Sequence, residues 1–365
     1  MAFEVDRADL HRTRILDDPA GVLPENAARL RIDSFALTSN NITYAVFGDA
    51  MQYWNFFPAS ETDPESRRWG RVPVWGFAEV VETRAAQLEA GRRVYGYWPM
   101  STELVVEPGR FDEAGFHDLA AHRYPMAGAY NRYLFTDTDP IYRPGREPHQ
   151  MVLWPLFFTS YLIDDFLADN DSFSASTVVV SSASSKTAIG AAFLLAARAG
   201  LRIVGLTSEG NADFVRGLGC YHDTVTYGDP EALPAGDAVY VDIAGNPDVR
   251  AAVHARYGDR LRYSMIVGDT HWDHEPEVHP PVVGPQPAFF FAPSQIAKRT
   301  KEWGKSTLDD RVGAAWERYS SWVDGWITFE RCAGPEQVEA AYRALLDGRV
   351  DPRTGYVCSM RASRA

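Results

Sequence analysis

The run Thr177-Val178-Val179-Val180-Ser181-Ser182 constrains the fold more than any other stretch. A short β-branched run of this kind marks a strand buried on both faces, as in a parallel sheet. It passes through Ala183-Ser184-Ser185 into KTAIGAAFLLAARAG, an Ala/Leu-rich helix that Gly200 stops. The pattern then repeats: LRIVGLT (201–207), a helix at 211–218, AVYVDIAG (238–245), a helix around 247–256 and LRYSMIVG (261–268). Strands alternating with helices at this spacing predict a doubly wound α/β domain, its parallel sheet covered on both faces. FFF (289–291) suits an added edge strand.

The flanking segments differ in texture. Residues 1–155 alternate short apolar-aromatic runs with turns: RLRIDSFAL, RVPVWGFAEVVET, GRRVYGYWPM and TELVVEPG. Their length and their Val, Tyr, Phe and Trp content predict a small β-rich domain. Asn, Asp, Pro and Gly clusters at 128–150 read as a long surface excursion. Near the end, PEQVEAAYRALLDG predicts a helix with Pro335 in its first turn and Gly348 past its end. GYVCSM reads as a closing strand. The 365 residues suit about two domains.

Charge narrows the partners. The chain has 36 Lys and Arg against 49 Asp and Glu, a net charge of −13, the wrong field for gripping phosphate backbones or anionic lipid. A small-molecule substrate is expected, with neither nucleic acid nor membrane as partner. The longest apolar run, MVLWPLFFTSYLI (151–163), contains a proline and reads as buried protein, too short to span a membrane. MAFEVDRADLHR carries acids and no apolar signal core, and Cys220, Cys332 and Cys358 form no CxxC pair. Both features predict a cytoplasmic protein.

The turn at 182–190 carries a mechanism. A helix N-terminus offers backbone N–H groups and a partial positive charge, where a diphosphate is stabilised. Dinucleotide-binding turns place three glycines there; this one reads Ser184-Ser185-Lys186-Thr187-Ala188-Ile189-Gly190 and keeps only the last. Gly190 is expected to serve helix–sheet packing. Ser184 and Ser185 supply hydroxyls, Thr187 follows in the first helical turn, and Lys186 adds a charge that a plain turn does not need. A small-residue turn that binds nothing is the bland alternative. Where an NAD site carries a carboxylate, the second strand ends in Thr207 and Ser208, with Glu209 one step later and Asn211 and Arg216 beyond. Hydroxyls, an amide and a guanidinium suit a 2′-phosphate, so NADPH is the expected cofactor. Ser208 or Asn211 serves equally as an ordinary helix cap.

In this order, the pieces resemble the medium-chain dehydrogenase/reductase superfamily, in a divergent zinc-free branch close to quinone and enoyl reductases. RVPVWGFAEVV is similar to the family's proline-glycine-rich strand, and AGRRVYGYWPMSTELVVEP to its "G-D-R-V-x-G … E-y-v-v-p" segment, with Arg92 for the usual Asp. FFTSYLIDDFL is similar to the helix before the Rossmann unit, VYVDIAG to the fourth-strand pattern, and EAAYRALLDGRVDPRTGYV to the closing helix and strand. The resemblance implies a GroES-like catalytic domain (1–155 and 305–365) interrupted by a Rossmann domain (156–304), and a homodimer. It implies an NADP-dependent enzyme that reduces an activated C=C or C=O of a small organic substrate. Thr159 is then expected at the nicotinamide carboxamide, Ala244 along the cofactor, and the backbone of Gly268, Asp269 and Thr270 as a cofactor wall.

The departures bear on the chemistry. Counting back from Val80-Val81, Trp75 and Gly76 fall where metal-using members carry His and Glu, and Ser39-Asn40-Asn41 where they carry a Cys. Apolar and amide groups do not make a Lewis-acid zinc site, so no metal is expected. Developing oxyanion charge must then meet hydrogen-bond or proton donors. Tyr53, in FGDAMQYWNFFP, matches the tyrosine that some zinc-free members use to protonate substrate. Tyr44 is a second phenol on the same segment, and Asn40 or Asn41 suits orienting a carbonyl. With 17 tyrosines in the chain, packing accounts equally for any one. His271 suits a proton relay, since its charge changes near neutral pH. Its neighbours Asp273, His274 and His279 sit among prolines without the frame of a metal site. Two other readings stay open: a non-redox lyase, hydratase or C–C hydrolase on the same fold, and a non-catalytic cofactor-sensing relative.

Overall fold

In the computed structural model, which describes residues 1–17, 21–59, 65–267 and 282–362, the chain divides into two units. Met1–Val152 and Ile327–Ala365 make the first, Leu153–Trp326 the second. The expected return to the first domain at 305 is too early. The helices Ala292–Trp303 and Lys305–Trp322 both belong to the second unit. The latter packs against the Lys186–Leu195 helix, where Phe193 meets Tyr319 and Trp322 with ring centroids 5.4 and 4.9 Å apart. A helical hydrophobic pattern carries no mark of which sheet it covers.

The second unit is built on a parallel sheet in the order Asp223–Thr226, Arg202–Thr207, Thr177–Ser181, Ala238–Asp242, Leu261–Ile266, Ala288–Phe289. The chain starts in the middle, winds one way for three strands and then crosses back. The crossover between Thr177–Ser181 and Ala238–Asp242 is the switch point where open α/β sheets form their binding crevice. Val178, Val179 and Val180 are wholly buried, as the β-branched run requires. Val179, Val204, Leu206 and Tyr240 share one core with Val253 and Leu261. Asn246 caps the Pro247–Tyr257 helix by accepting from the amides of Asp248 and Val249.

The first unit carries a nine-stranded, mostly antiparallel sheet. Its centre pairs Thr354–Ser359, Ala28–Leu37, Pro73–Thr83, Arg93–Pro99 and Arg132–Phe135 in that order. Leu30, Ile32 and Phe35 pack with Val74, Ala78, Val94 and Trp98 in its core. A second, three-stranded sheet joins Thr13–Leu16, Ala2–Asp6 and Trp69–Gly70. Residues 128–150 are more ordered than their turn-rich composition suggests. Arg132–Phe135 is a strand with Tyr133 wholly buried, and a helix begins at Glu147.

That helix, Glu147–Asp169, has 23 residues and outruns the 13-residue apolar stretch read from the sequence. By length and composition alone it is long and apolar enough to cross a membrane. Its own side chains argue otherwise. Leu162, Ile163 and Leu167 are buried in protein, and Asp164 and Asp165 pair with Arg198 and Arg299. Carboxylates in ion pairs at mid-helix suit a core helix rather than a lipid-facing one.

Candidate functional site

In the second unit Ser184, Ser185, Asn211 and Ala244 are tied to the carboxyl end of Thr177–Ser181 or to the turn that follows it. Ser182 adopts a left-handed φ of 51°, and the Ser185 amide donates to its carbonyl at 2.7 Å, which closes the turn without a glycine. The Ser182 amide donates to the Tyr227 hydroxyl at 3.0 Å. The Asn211 amide donates to Ser184 Oγ at 3.0 Å, tying the turn to the end of the second strand. Ser185 has a different duty: it caps the helix, its hydroxyl accepting from the Ala188 amide at 3.3 Å. A diphosphate at this helix is therefore left the earlier amides, at Lys186 and Thr187, rather than all of the first turn.

Gly190 is required by a close approach, but the partner is a helix and not the sheet. A Cβ there would stand 2.7 Å from Ser160 Oγ and 3.0 Å from Ser160 Cβ. Ser160 donates to the carbonyls of Leu156 at 3.0 Å and Thr187 at 2.7 Å, fastening the two helices together. Thr159, beside it, is half-buried. Across the switch point, Ser181 Oγ accepts from the amides of Ile243 and Ala244 at 3.0 Å and donates to Asp242. Asp242 is held in turn by buried Arg250 at 2.7 Å. The Ala244 amide is thereby tied to the end of the Thr177–Ser181 strand.

The 2′-phosphate residues are only partly assembled. Thr207 is buried, with 1 % exposure, so its side chain is not offered to a ligand; Ser208, next along, is exposed. Arg216 forms an exposed ion pair with Asp213 in its own helix. Tyr227 was not foreseen; it stands immediately after the third strand, a position the sequence marks only by turn residues. Gly268, Asp269, Thr270 and His271, with Asp273, His274 and His279, lie outside the described residues.

In the first unit the two expected tyrosines do meet. Tyr44, on the Ser39–Val46 helix, and Tyr53, on the short turn Tyr53–Asn55, have ring centroids 4.5 Å apart. Both are almost fully buried. Tyr97 lies 5.8 Å from Tyr44, and Tyr130 lies 6.2 Å from Tyr53 and 4.8 Å from Tyr97. Trp75 sits 4.9 Å from Tyr97 and stacks on Tyr95 at 5.6 Å. Burial pushes the Tyr44 and Tyr53 phenols far above their ordinary range, and Tyr95, Tyr97 and Tyr130 move the same way. All five are therefore neutral hydrogen donors at any working pH.

Asn41 is corrected by the structure. Its Oδ1 accepts from the Thr38 amide at 2.8 Å and the Thr38 hydroxyl at 3.1 Å, and its Nδ2 donates to the Pro73 carbonyl at 2.9 Å. The amide oxygen is occupied in capping its own helix, and one Nδ2 hydrogen ties that helix to the strand at Pro73. Asn40 is the neighbour that bears on Tyr44. Trp75 and Gly76 fill the expected metal positions with an indole and a close strand crossing, where a Cβ would strike Ser34 and Phe35. Among the described residues no three His, Cys, Asp or Glu side chains come together as a metal site.

Tyr95, Tyr97 and Tyr130 were missed because their proximity is made by pairing across strands. Trp75 opposes Tyr97 in register, and Tyr95 and Tyr97 share a face of Arg93–Pro99. Tyr130 is positioned by Arg123, which is buried and donates to the Tyr130 carbonyl, Asn131 Oδ1, Asp118 Oδ2 and the Tyr133 hydroxyl at 2.6–3.1 Å.

The fold is shared with solved structures of low sequence identity. CurA from Vibrio vulnificus, in complex with NADPH, superposes with a TM-score of 0.59 at 13% identity, over 97% of this chain and 95% of that one. A mutant form of the enoyl thioester reductase from Candida tropicalis gives 0.56 at 12% identity, over 98% of this chain and all of the other. Escherichia coli K-12 YhdH with bound NADPH gives 0.54 at 12%, over 99% and 100%. The fold is that of the medium-chain dehydrogenase/reductases, a Rossmann unit with a GroES-like unit. No curated protein matches the chain in sequence. The family model described as "Protein of unknown function (DUF2855)" matches residues 35–351, and the chain belongs to that family.

Proposed function

We propose that the chain is an NADPH-dependent, metal-free reductase of an activated C=C or C=O in a small organic molecule. The observation that carries this reading is the switch-point turn, where the Lys186 helix opens and Ser184 is tied to Asn211, beside a second strand that ends in Thr207 and Ser208 with Glu209 one residue beyond. The neighbouring folds support it, two of them solved with NADPH and one an enoyl thioester reductase. When bound, the cofactor supplies a hydride. Lys186 and the first amides of its helix hold the diphosphate, and Ser184, Ser208 and Asn211 hold the 2′-phosphorylated ribose. Tyr53 or Tyr44 gives its proton to the reduced product, a role suited to a phenol kept neutral by burial. Oxyanion charge is met by donors, since an indole and a glycine at positions 75 and 76 offer a metal nothing to bind.

Fluorescence titration with NADPH and NADH tests the reading. Saturable NADPH binding tighter than NADH is expected; no saturable binding of either nucleotide overturns it. The Ser185 cap, which takes one first-turn amide from the diphosphate, favours a second reading, a lyase or hydratase on the same fold. Turnover without NADPH oxidation marks that outcome.

A further inference from the structure

Among the described residues of the first unit, three neighbouring donors end in the interior with no hydrogen-bond partner: the Tyr95 and Tyr97 hydroxyls and the Trp75 indole N–H. Tyr95 is 2 % and Tyr97 0 % exposed. A buried donor without a partner forfeits its hydrogen bond to water and receives nothing in exchange, so native structures hold few of them. Three side by side need an explanation.

Their placement supplies one. Trp75 opposes Tyr97 across two paired strands, and Tyr95 sits two residues before Tyr97 on the same face. The Trp75 ring packs on both tyrosines, 5.6 and 4.9 Å between centroids. Tyr44 is the common neighbour: its phenol influences Tyr95 and Tyr97, and Trp75 bears on it without forming a hydrogen bond. The charged groups nearby are engaged elsewhere. Asp139, next to Tyr95, accepts from the Ile141 amide and Gln150, and Arg123, over Phe56 and Phe57, gives its hydrogens to four acceptors. What remains is a set of neutral donors in apolar surroundings, where a hydrogen bond to developing negative charge is worth far more than in water.

We propose that Trp75, Tyr95 and Tyr97 form an oxyanion-binding site that takes the substrate's carbonyl oxygen, in the place where metal-using relatives put zinc. The assignment rests on the reductase reading for its chemistry. A hydride from the nicotinamide, which is oxidised to its pyridinium form, adds to the carbonyl or conjugated carbon. The π pair moves to the oxygen, where the three donors hold it. The Tyr44 or Tyr53 proton completes the reduced product, and the phenolate recovers a proton from water. The substrate class that fits is a small carbonyl compound, uncharged at that end, whose oxygen meets the Trp75, Tyr95 and Tyr97 donors.

The test uses 4-nitrophenolate, an aryl oxyanion, as an absorbance probe on the full chain without nucleotide. Saturable binding is expected, weakened about tenfold by Trp75→Phe and by Tyr97→Phe, a change of about 1.4 kcal/mol each. Tyr97→Phe removes only an unpartnered hydroxyl, so its melting temperature should rise while its binding falls. A merely structural tyrosine cannot give that opposition of sign. Absence of saturable binding, equal affinity in all variants, or a lower melting temperature for Tyr97→Phe overturns the site. The two readings fail separately. Probe binding with these losses but no NADPH binding removes the reductase and keeps the site; NADPH binding with a donor-independent probe does the reverse.

Discussion

Gly190→Ala isolates the contact on which the Lys186–Leu195 helix is seated. In an exposed helix the change gains about 1 kcal/mol, because Ala has the higher propensity. Here the new methyl meets Ser160 Oγ at 2.7 Å and Cβ at 3.0 Å, inside normal contact. Turning the hydroxyl away forfeits its bond to the Thr187 carbonyl, worth about 1 kcal/mol. Relieving the Cβ contact requires the helices to part, an overpacking cost of about 1–3 kcal/mol. The steric side wins by about 1–3 kcal/mol, which lowers the melting temperature of a unit this size by roughly 2–12 °C. Calorimetry on the single and double variants is the assay. In a Ser160→Gly background both obstructing atoms are gone, so Gly190→Ala should turn stabilising, by about 1 kcal/mol. If Gly190→Ala stabilises the parent chain, or acts identically in both backgrounds, the close-approach argument is wrong.

Ser208→Asp places a carboxylate on an exposed position at the strand end, where buried Thr207 cannot host one. NADPH affinity should fall at least tenfold, about 1.4 kcal/mol, with NADH little changed; equal losses for both nucleotides would count against a 2′-phosphate there. Arg123→Met strands Asp118 and releases the Tyr130 turn, and should cost about 3–5 kcal/mol in urea denaturation. A loss under 1 kcal/mol would mean that Arg123 holds little. Burial keeps the His254 imidazole, bonded to Ser264 and the Val283 carbonyl, below its ordinary pKa. The unfolded chain therefore takes up the proton first: the stabilising contribution is full above about pH 6.5 and is lost as pH falls through the lower folded value. Urea midpoints at pH 7.5 and 5.5 should converge in His254→Asn relative to the parent; an unchanged or wider gap rules this histidine out as a source.

What the sequence revealed follows from the range of the interactions involved. The Val178–Val180 run and the alternation after it needed only local pattern, because a strand buried on both faces leaves no polar positions to confuse the reading. Gly190 was recognisable as a packing glycine, but its partner Ser160 lies 30 residues back on a helix whose orientation no local pattern encodes. Tyr44 and Tyr53 are neighbours within one segment and were found together. Tyr95, Tyr97 and Tyr130 join them through strand register and a turn held by Arg123, which spacing along the chain does not express. Asn41 illustrates the opposite error: an asparagine at the third helical position suits a cap and a carbonyl contact alike, and only the Thr38 and Pro73 bonds decide. Residues 305–326 were assigned to the wrong unit because amphipathicity reports that a helix is covered, not by what.

The unpaired hydroxyls of Tyr95 and Tyr97 also give a way to search for the substrate. A fold that tolerates idle donors regains that free energy when a compound brings them an acceptor, and the gain adds to the ordinary benefit of ligand binding. In a thermal-shift screen of small carbonyl compounds, those that reach these hydroxyls should raise the melting point more than their size warrants, and Tyr97→Phe should abolish the excess.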